Sequence, residues 1–260
     1  MSNLHIYIDG SWLFKACAKG AALSNRLEVS QNFRPNFSRL CDAMLKYASS
    51  YDSDCTCIGE KYLSTSIFNI PETVDDWIDG ESITEEDIAS IRSSVTAREF
   101  FANSALSAGF EPSVIFHPFL KDWMIPKLRA KRFQEKQVDA TVVALLVRSA
   151  ITNVGDYHVV ITGDADILPA IKVAYPEYST NVFIATTHPD QLKSEARQSS
   201  FALSDFNCNI EPFYLDQHVD AFLDGENVYT CGHCNKVFVR TKSIPANVKP
   251  CCHPCYSSRT

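Results

Sequence analysis

The apolar run at residues 157–160 leads directly into a segment that carries two carboxylates, and this feature constrains the fold more than any other. The segment reads Ile161-Thr162-Gly163-Asp164-Ala165-Asp166. A short apolar run of this kind, bounded by Gly and Asp, is typical of a strand that is buried on both faces of a parallel sheet. Two acids at its end do little for a strand, but they are good ligands for a divalent cation. The segment therefore predicts a buried strand with a metal site at its end.

Two further acids occupy comparable positions. Asp9 ends the apolar run at residues 4–8, and Asp139 lies in the first turn of an apolar helix predicted over residues 138–151. Because the carboxyl ends of parallel strands lie at one edge of a sheet, we expect Asp9 to meet Asp164 and Asp166 there. Asp139 joins them only if the preceding connector crosses back over the sheet.

Each of these acids also has a simple structural explanation. Asp9 precedes Gly10 and is expected to form a turn at Asp9-Gly10-Ser11. Asp166 is a candidate helix N-cap, and Asp139 can interact with the dipole of the helix that it begins. Taken together, however, acids at two strand ends and one helix start exceed what turns and caps require. Carboxylates so close together would repel one another without a cation, and Mg²⁺ or Mn²⁺ prefers such oxygen ligands.

The rest of the chain alternates between strand and helix patterns. Further strands are predicted at residues 55–63, 113–116, 181–185 and 208–214, and further helices at 37–47, 84–107, 167–174 and 190–205. A basic connector is predicted over residues 117–136. This alternation predicts an α/β fold with a doubly wound, mainly parallel sheet.

Charge and composition divide the chain near residue 225. Residues 226–260 have a net charge of +4 and the whole chain has −7, so residues 1–225 carry −11. We therefore predict an α/β domain at residues 1–225 and a small module at 226–260, which would contact nucleic acid or a protein partner. No apolar run approaches the length of about 20 residues that spans a membrane, and no signal peptide is recognisable. The expectation is a cytoplasmic protein without a membrane partner.

The C-terminal module has the cysteine spacing of a structural zinc site. Cys231 and Cys234 are followed, after 17 intervening residues, by Cys252 and Cys255. Paired cysteines at this spacing predict a four-thiolate Zn²⁺ site in a small ribbon. The register stays open, because Cys251 is an alternative to Cys252, and His233 or His253 could compete as a ligand.

Three segments of the chain resemble the motifs of NYN domains, a branch of the PIN-like ribonucleases. They are Ile6-Tyr7-Ile8-Asp9-Gly10-Ser11, then Glu135-Lys136-Gln137-Val138-Asp139, and then Val159-Val160-Ile161-Thr162-Gly163-Asp164-Ala165-Asp166. Their order and spacing agree with the family over roughly residues 4–215. The resemblance implies a PIN-like fold in which Asp9, Asp139, Asp164 and Asp166 bind a catalytic Mg²⁺ or Mn²⁺. PIN-like proteins often pair, so a homodimer is left open.

Other positions follow the family or depart from it. Thr162 replaces the family's Ser and keeps a hydroxyl for the substrate site, and three residues of the basic connector are expected to bind RNA phosphates: Arg129, Lys131 and Lys136. Trp12 stands where the family has Asn, and Leu145 where many members have Asp. We expect an endoribonuclease that cleaves single-stranded RNA. The alternatives are an inactive RNA-binding or scaffold protein, which the two departures favour, and a phosphatase for small phosphate esters.

Overall fold

The computed structural model describes residues 1–130, 137–175, 181–188 and 210–258. Its central element is one parallel sheet. Its six strands pair in parallel in the order β3-β2-β1-β4-β5-β6. The strands are β1 (Ser2–Asp9), β2 (Cys55–Ser66), β3 (Ile115–Phe116), β4 (Tyr157–Ile161), β5 (Val182–Thr186) and β6 (Phe213–Tyr214). The predicted parallel α/β sheet is confirmed. The strand order changes direction between β1 and β4, which creates a crevice at the carboxyl ends of these two central strands.

Helices connect the strands. The described helices are α1 (Gly10–Ala16), α2 (Phe37–Tyr51), α3 (Glu85–Ser107), α4 (Ile125–Arg129), α5 (Gln137–Thr152), α6 (Leu168–Ala174), α7 (Val219–Phe222) and α8 (His253–Ser257). The longest, α3, begins with a capping box, in which the side chains of Thr84 and Asp87 each accept a hydrogen bond from the other residue's backbone N–H. None of the helices described is long and apolar enough to span a membrane.

Helices cover both faces of the sheet. Alternate residues of a strand point to opposite faces, so each face presents its own side chains to a core. Leu4, Ile6 and Ile8 of β1 pack in a core with α1, α2 and the C-terminal half of α3. Tyr7 points the other way, into a second core with α5 and α6. The chain is therefore doubly wound, as predicted, and each face has its own buried cluster.

Three local predictions need correction. The turn predicted at Asp9-Gly10-Ser11 is wrong, because α1 begins directly at Gly10 and Asp9 is its N-cap. The connector at residues 117–136 contains α4, in which Pro126 lies in the first turn, where a missing N–H costs little. The final strand spans only Phe213–Tyr214. The helix predicted at residues 190–205 lies outside the described residues.

The C-terminal module is a small β-hairpin that packs on the main body. Strands β7 (Asn227–Thr230) and β8 (Val237–Arg240) pair antiparallel. Val237 is buried in the core of the main body, and its carbonyl accepts a 2.8 Å hydrogen bond from the backbone N–H of Glu28. The Glu28 carboxylate in turn accepts a hydrogen bond from the backbone N–H of His253, at 2.6 Å. Glu28 of the α/β body thus contacts the module at two places, in β8 and at the start of α8.

Candidate functional site

Asp9 lies at the carboxyl end of β1, at the crevice where the strand order reverses. Only 2% of its surface is exposed. One carboxylate oxygen accepts a 2.9 Å hydrogen bond from the backbone N–H of Trp12, which caps α1. Gly10 permits this arrangement, because a Cβ atom at that position would lie 2.8 Å from the Ser64 carbonyl oxygen. The Asp-Gly sequence therefore lets the helix start directly against the neighbouring strand.

Thr162 connects Asp9 to the acids that follow β4. Its buried hydroxyl donates a 3.1 Å hydrogen bond to the second carboxylate oxygen of Asp9. The same hydroxyl accepts a 3.0 Å hydrogen bond from the backbone N–H of Asp164. Asp9 and the Asp164 backbone are therefore only two consecutive hydrogen bonds apart. Thr162 holds the two strand ends together, and the substrate contact predicted for its hydroxyl stays a prediction.

Asp164 and Asp166 lie in a tight turn after β4. Asp164 is half-buried, and its carboxylate accepts a 2.9 Å hydrogen bond from the backbone N–H of Asp166. The side chain of Asp166 is exposed. Asp166 is not the N-cap of α6, which begins at Leu168 after Ile167. Of the two acids, Asp164 therefore lies closer to Asp9.

Asp139 reaches the same edge through α5. Ser64 is the register partner of Asp9 on the neighbouring strand β2, and its hydroxyl donates a 3.3 Å hydrogen bond to the carbonyl of Val138. This bond brings the first turn of α5, including Asp139, next to the end of β1. The start of α5 therefore lies at the edge where β1 ends, a placement that the sequence left undecided.

The charges of these acids influence one another. The pKa of Asp9 is raised to about 6, chiefly by burial and in addition by the nearby carboxylates of Asp139 and Asp164, against the lowering effect of the hydrogen bonds from Trp12 and Thr162. Burial disfavours the ionised carboxyl group because its charge loses solvation, and the neighbouring carboxylates disfavour it because like charges repel. A cation at this edge would remove that cost.

The donor set fits a hard, partly hydrated cation. All the donors are carboxylate oxygens, which Mg²⁺ and Mn²⁺ prefer, and Mg²⁺ commonly keeps several waters while binding one or two carboxylates. The acids are less tightly gathered than the thiolates of the hairpin. Within the described part of the chain, the four cysteines form the one group of three or more candidate ligands with ligand atoms within 4.8 Å of one another.

Of the three residues predicted to bind phosphate, Arg129 alone lies in the described part of the chain. Arg129 forms a 3.0 Å ion pair with Asp87, in the capping box of α3. Its guanidinium therefore stabilises the start of that helix. Lys131 and Lys136 lie outside the described residues, so their placement stays a prediction.

Trp12 and Leu145, which depart from the family pattern, occupy different surroundings. The Trp12 indole lies directly against Gly163, where a Cβ atom would overlap the ring. It therefore covers one side of the turn that carries Asp164. Leu145 is buried in the core between α5 and the sheet. An acidic side chain at position 145 would be buried among apolar side chains, which costs free energy.

Two residues at the edge were not singled out from the sequence. Ser64 positions α5 against β1, and Arg98 of α3 donates a 3.4 Å hydrogen bond to the carbonyl of Ser66, the last residue of β2. The available signal in the sequence was the polar run Ser64-Thr65-Ser66 at the end of β2. All three of these residues are buried. Small polar residues at that point indicate contacts with other elements rather than with solvent.

The predicted four-cysteine cluster is confirmed. The sulfur atoms of Cys231, Cys234, Cys252 and Cys255 lie within 4.8 Å of one another, as a tetrahedral ion such as Zn²⁺ requires. This result selects Cys252 over Cys251, whose thiol instead donates to the Cys252 carbonyl at 3.6 Å. Neither His233 nor His253 belongs to the cluster.

The backbone around Cys231 favours a thiolate. Burial alone would raise the pKa of this thiol, but the N–H groups of Cys252, Cys234 and His233 together lower it to about 5. The N–H of Cys252 lies 3.4 Å from the Cys231 sulfur. Asn235, which follows Cys234, has a φ of 57°, a left-handed conformation that Asn tolerates well. This turn directs the first two cysteines toward one point.

We expect Thr162→Val to destabilise the protein by about 1–3 kcal/mol, because both the Asp9 carboxylate and the Asp164 N–H lose a buried hydrogen-bond partner. Urea unfolding followed by circular dichroism measures this effect. Thr162→Ser keeps the hydroxyl and is the matched control, with a much smaller expected loss. Equal stability of Thr162→Val and the wild type would show that the hydroxyl does not connect the two strand ends.

Comparisons with known proteins leave the family open. No protein-family model matches the chain, and no curated protein matches it. The crystal structure of a protein of unknown function from Vibrio parahaemolyticus is similar over 86% of this chain and 96% of that chain, with 14% sequence identity and a TM-score of 0.43. This similarity assigns neither a family nor an activity, so the function has to be argued from the site.

Proposed function

We propose that this protein is a metal-dependent endoribonuclease with a PIN-like fold of the NYN type. The observation that carries the proposal is the convergence of Asp9, Asp139 and Asp164 at one edge of the sheet. These acids come from a strand end, a helix start and a second strand end, and burial and like charge together raise the pKa of Asp9. Acids gathered in this way fit a cation site at the crevice of an open α/β sheet.

The acids have different roles in this proposal. Asp9 and Asp164 are the principal ligands of Mg²⁺ or Mn²⁺, and Asp139 completes the set. Asp166 is exposed beside Asp164 and orients the attacking water. Thr162 and Ser64 position the acids, through the hydroxyl between Asp9 and Asp164 and through the bond to the start of α5. When bound, the cation polarises a phosphoryl oxygen and stabilises the leaving oxygen.

Two features support RNA as the substrate. The three segments that resemble NYN motifs carry all four acids, and that family cleaves RNA. The half-buried Arg98 side chain lies at the same sheet edge, where it supplies a positive charge beside the acids. Single-stranded RNA, with its exposed bases and flexible backbone, fits an open edge better than a duplex does.

The test is cleavage of a labelled single-stranded RNA with and without added Mn²⁺. We expect metal-dependent cleavage by the wild type and at least about 100-fold slower cleavage by Asp164→Asn, since one ligand contributes several kcal/mol to charge stabilisation. Asp42→Asn, which changes an exposed acid on α2, is the matched control and should cleave like the wild type. Equal rates for Asp164→Asn and the wild type would contradict the proposal.

One observation favours a second candidate function. The Trp12 indole covers one side of the Asp164 turn, so it could restrict access and leave a protein that binds RNA without cleaving it. RNA binding without Mn²⁺-dependent cleavage by the wild type, together with cleavage by Trp12→Asn, would support that function. Hydrolysis of an aryl phosphate without RNA cleavage would instead indicate a phosphatase.

A further inference from the structure

An aromatic groove of about 570 Å³ lies between α1, α3, the loop at residues 32–35 and the start of α2. Five phenylalanines line it, and we call it the Phe groove: Phe14, Phe33, Phe37, Phe100 and Phe101. Its volume is within the range of about 300–1,000 Å³ that small-molecule sites have. Phe100, at 61% exposure, presents a large apolar surface to solvent at this groove.

The Phe groove is connected to the acidic edge by α1 and by Arg98. Asp9 caps α1, and Phe14 lies within the same seven-residue helix. The Arg98 guanidinium lies over the Phe14 ring, 4.8 Å from its centroid, and donates a hydrogen bond to Ser66 at the end of β2. Two residues earlier on that strand, Ser64 is the register partner of Asp9. Arg98 therefore lies between the groove and the acids.

The chemistry of the groove suits a nucleobase and its phosphate. Arg34 lies over the Phe100 ring, 5.7 Å from its centroid, so guanidinium groups accompany two of the aromatic rings. Aromatic rings stack on the faces of unpaired bases, and Arg contributes cation–π contacts and binds phosphate oxygens. Asp224 also lines the groove and can accept a hydrogen bond from an amino group of a base. A purely apolar partner would leave these charged groups unused.

We propose that the Phe groove binds an unpaired base of the RNA strand next to the cleaved phosphodiester, and that Arg98 binds the phosphate between that base and the acidic edge. This inference rests on the proposed function. In this proposal α3 binds a phosphate of the RNA, a role that the sequence predicted for the basic connector. The groove determines where the strand lies relative to the acids.

The test compares Phe100→Ala and Arg98→Ala with two matched controls. Arg92→Ala removes an exposed arginine of the same helix, one that pairs with Asp75, and Phe119→Ala removes a phenylalanine that is 70% exposed elsewhere. Binding of a short labelled RNA is followed by fluorescence anisotropy in the Asp164→Asn background, which prevents cleavage. We expect about tenfold weaker binding for both groove variants and unchanged binding for both controls.

A second arm identifies the base that enters the groove. Each base of the RNA is replaced in turn by an abasic site. At one position in the RNA, this replacement should weaken binding to the protein that retains Phe100. The same abasic RNA should lose no further affinity with Phe100→Ala, because the base and the ring would contribute through the same contact. Additive losses would overturn the proposal. Circular dichroism confirms that the variants are folded, as expected for an exposed Phe100.

The outcomes separate the groove from the proposed function. Metal-dependent cleavage by the wild type, together with unchanged RNA binding in both groove variants, would overturn the groove assignment and leave the proposed nuclease intact. The groove would then be a candidate site for an apolar peptide. Weakened RNA binding in the groove variants of a protein that never cleaves RNA would support the groove and contradict the nuclease. In an active enzyme, Phe100→Ala should raise KM and leave kcat nearly unchanged, which is the pattern of lost ground-state binding.

Discussion

Asp9→Asn is expected to stop metal-dependent RNA cleavage and, at the same time, to stabilise the metal-free protein by about 1–3 kcal/mol above pH 7. The cleavage is lost because the cation loses a principal ligand. The stability is gained because removal of the buried charge outweighs loss of the hydrogen bond that the Thr162 hydroxyl donates to the second carboxylate oxygen. The amide oxygen of Asn still accepts the hydrogen bond from Trp12. A substitution that improves folding while it removes activity is typical of a functional site.

The pH dependence of this gain follows from the pKa of Asp9. Burial is the largest cause that raises this pKa, from 3.8 to about 6. The folded protein therefore holds the proton more tightly than the unfolded chain does, so ionisation of Asp9 costs folding free energy. The cost is absent below about pH 4, grows as the pH rises towards 6, and is complete above it. The stability difference between Asp9→Asn and the wild type should follow the same course.

Urea unfolding at several pH values, without added divalent ions, measures this difference. Asp42→Asn, an exposed acid on α2, is the control and should match the wild type throughout. Addition of Mn²⁺ should stabilise the wild type but not Asp9→Asn, since only the wild type keeps the full set of ligands. If Asp9→Asn is less stable than the wild type at every pH, the carboxylate serves mainly as a helix cap.

Cys252→Ser is expected to abolish the predicted zinc binding of the four-cysteine cluster and to unfold the C-terminal hairpin. Four-thiolate sites contribute their binding free energy directly to folding, so loss of one ligand removes most of it. The main body should also lose several kcal/mol, because Val237 of the hairpin is buried in its core and binds Glu28. Elemental analysis measures the bound zinc, and thermal unfolding measures the stability of the body.

Cys251→Ser provides a control for this prediction, because it changes the neighbouring thiol, which lies outside the cluster. It should keep about one equivalent of zinc and the wild-type unfolding temperature. Loss of zinc in Cys251→Ser together with retention in Cys252→Ser would reverse the assignment of the ligand. Near-wild-type stability of a zinc-free Cys252→Ser protein would show that the hairpin does not depend on the metal.

The sequence predicted those parts of the fold that depend on local pattern. The apolar runs that end at Asp9 and before Asp164 are strands, and the spacing of the cysteines is that of the observed cluster. Local pattern also misled at the end of β1. Asp9-Gly10 is typical of a turn, but the close approach of Gly10 to β2 allows a helix to start there.

The contacts that complete the site join residues far apart in the chain, and the sequence alone did not predict them. The approach of Asp139 to Asp9 depends on the hydrogen bond between Ser64 and Val138. The position of Arg98 depends on how α3 packs beside β2, and Arg129 was assigned to phosphate although it pairs with Asp87. Such contacts depend on tertiary packing, which local patterns do not specify.

The central claim is that Asp9, Asp139 and Asp164 share one cation, and Mn²⁺ binding tests it most directly. Electron paramagnetic resonance follows free aqueous Mn²⁺ during titration of the zinc-loaded wild type, Asp9→Asn and the Asp42→Asn control. The wild type and Asp42→Asn should bind about one equivalent, and Asp9→Asn should bind at least about tenfold more weakly, because hard cations depend on carboxylate ligands. Equal Mn²⁺ affinity of Asp9→Asn and the wild type would contradict the claim.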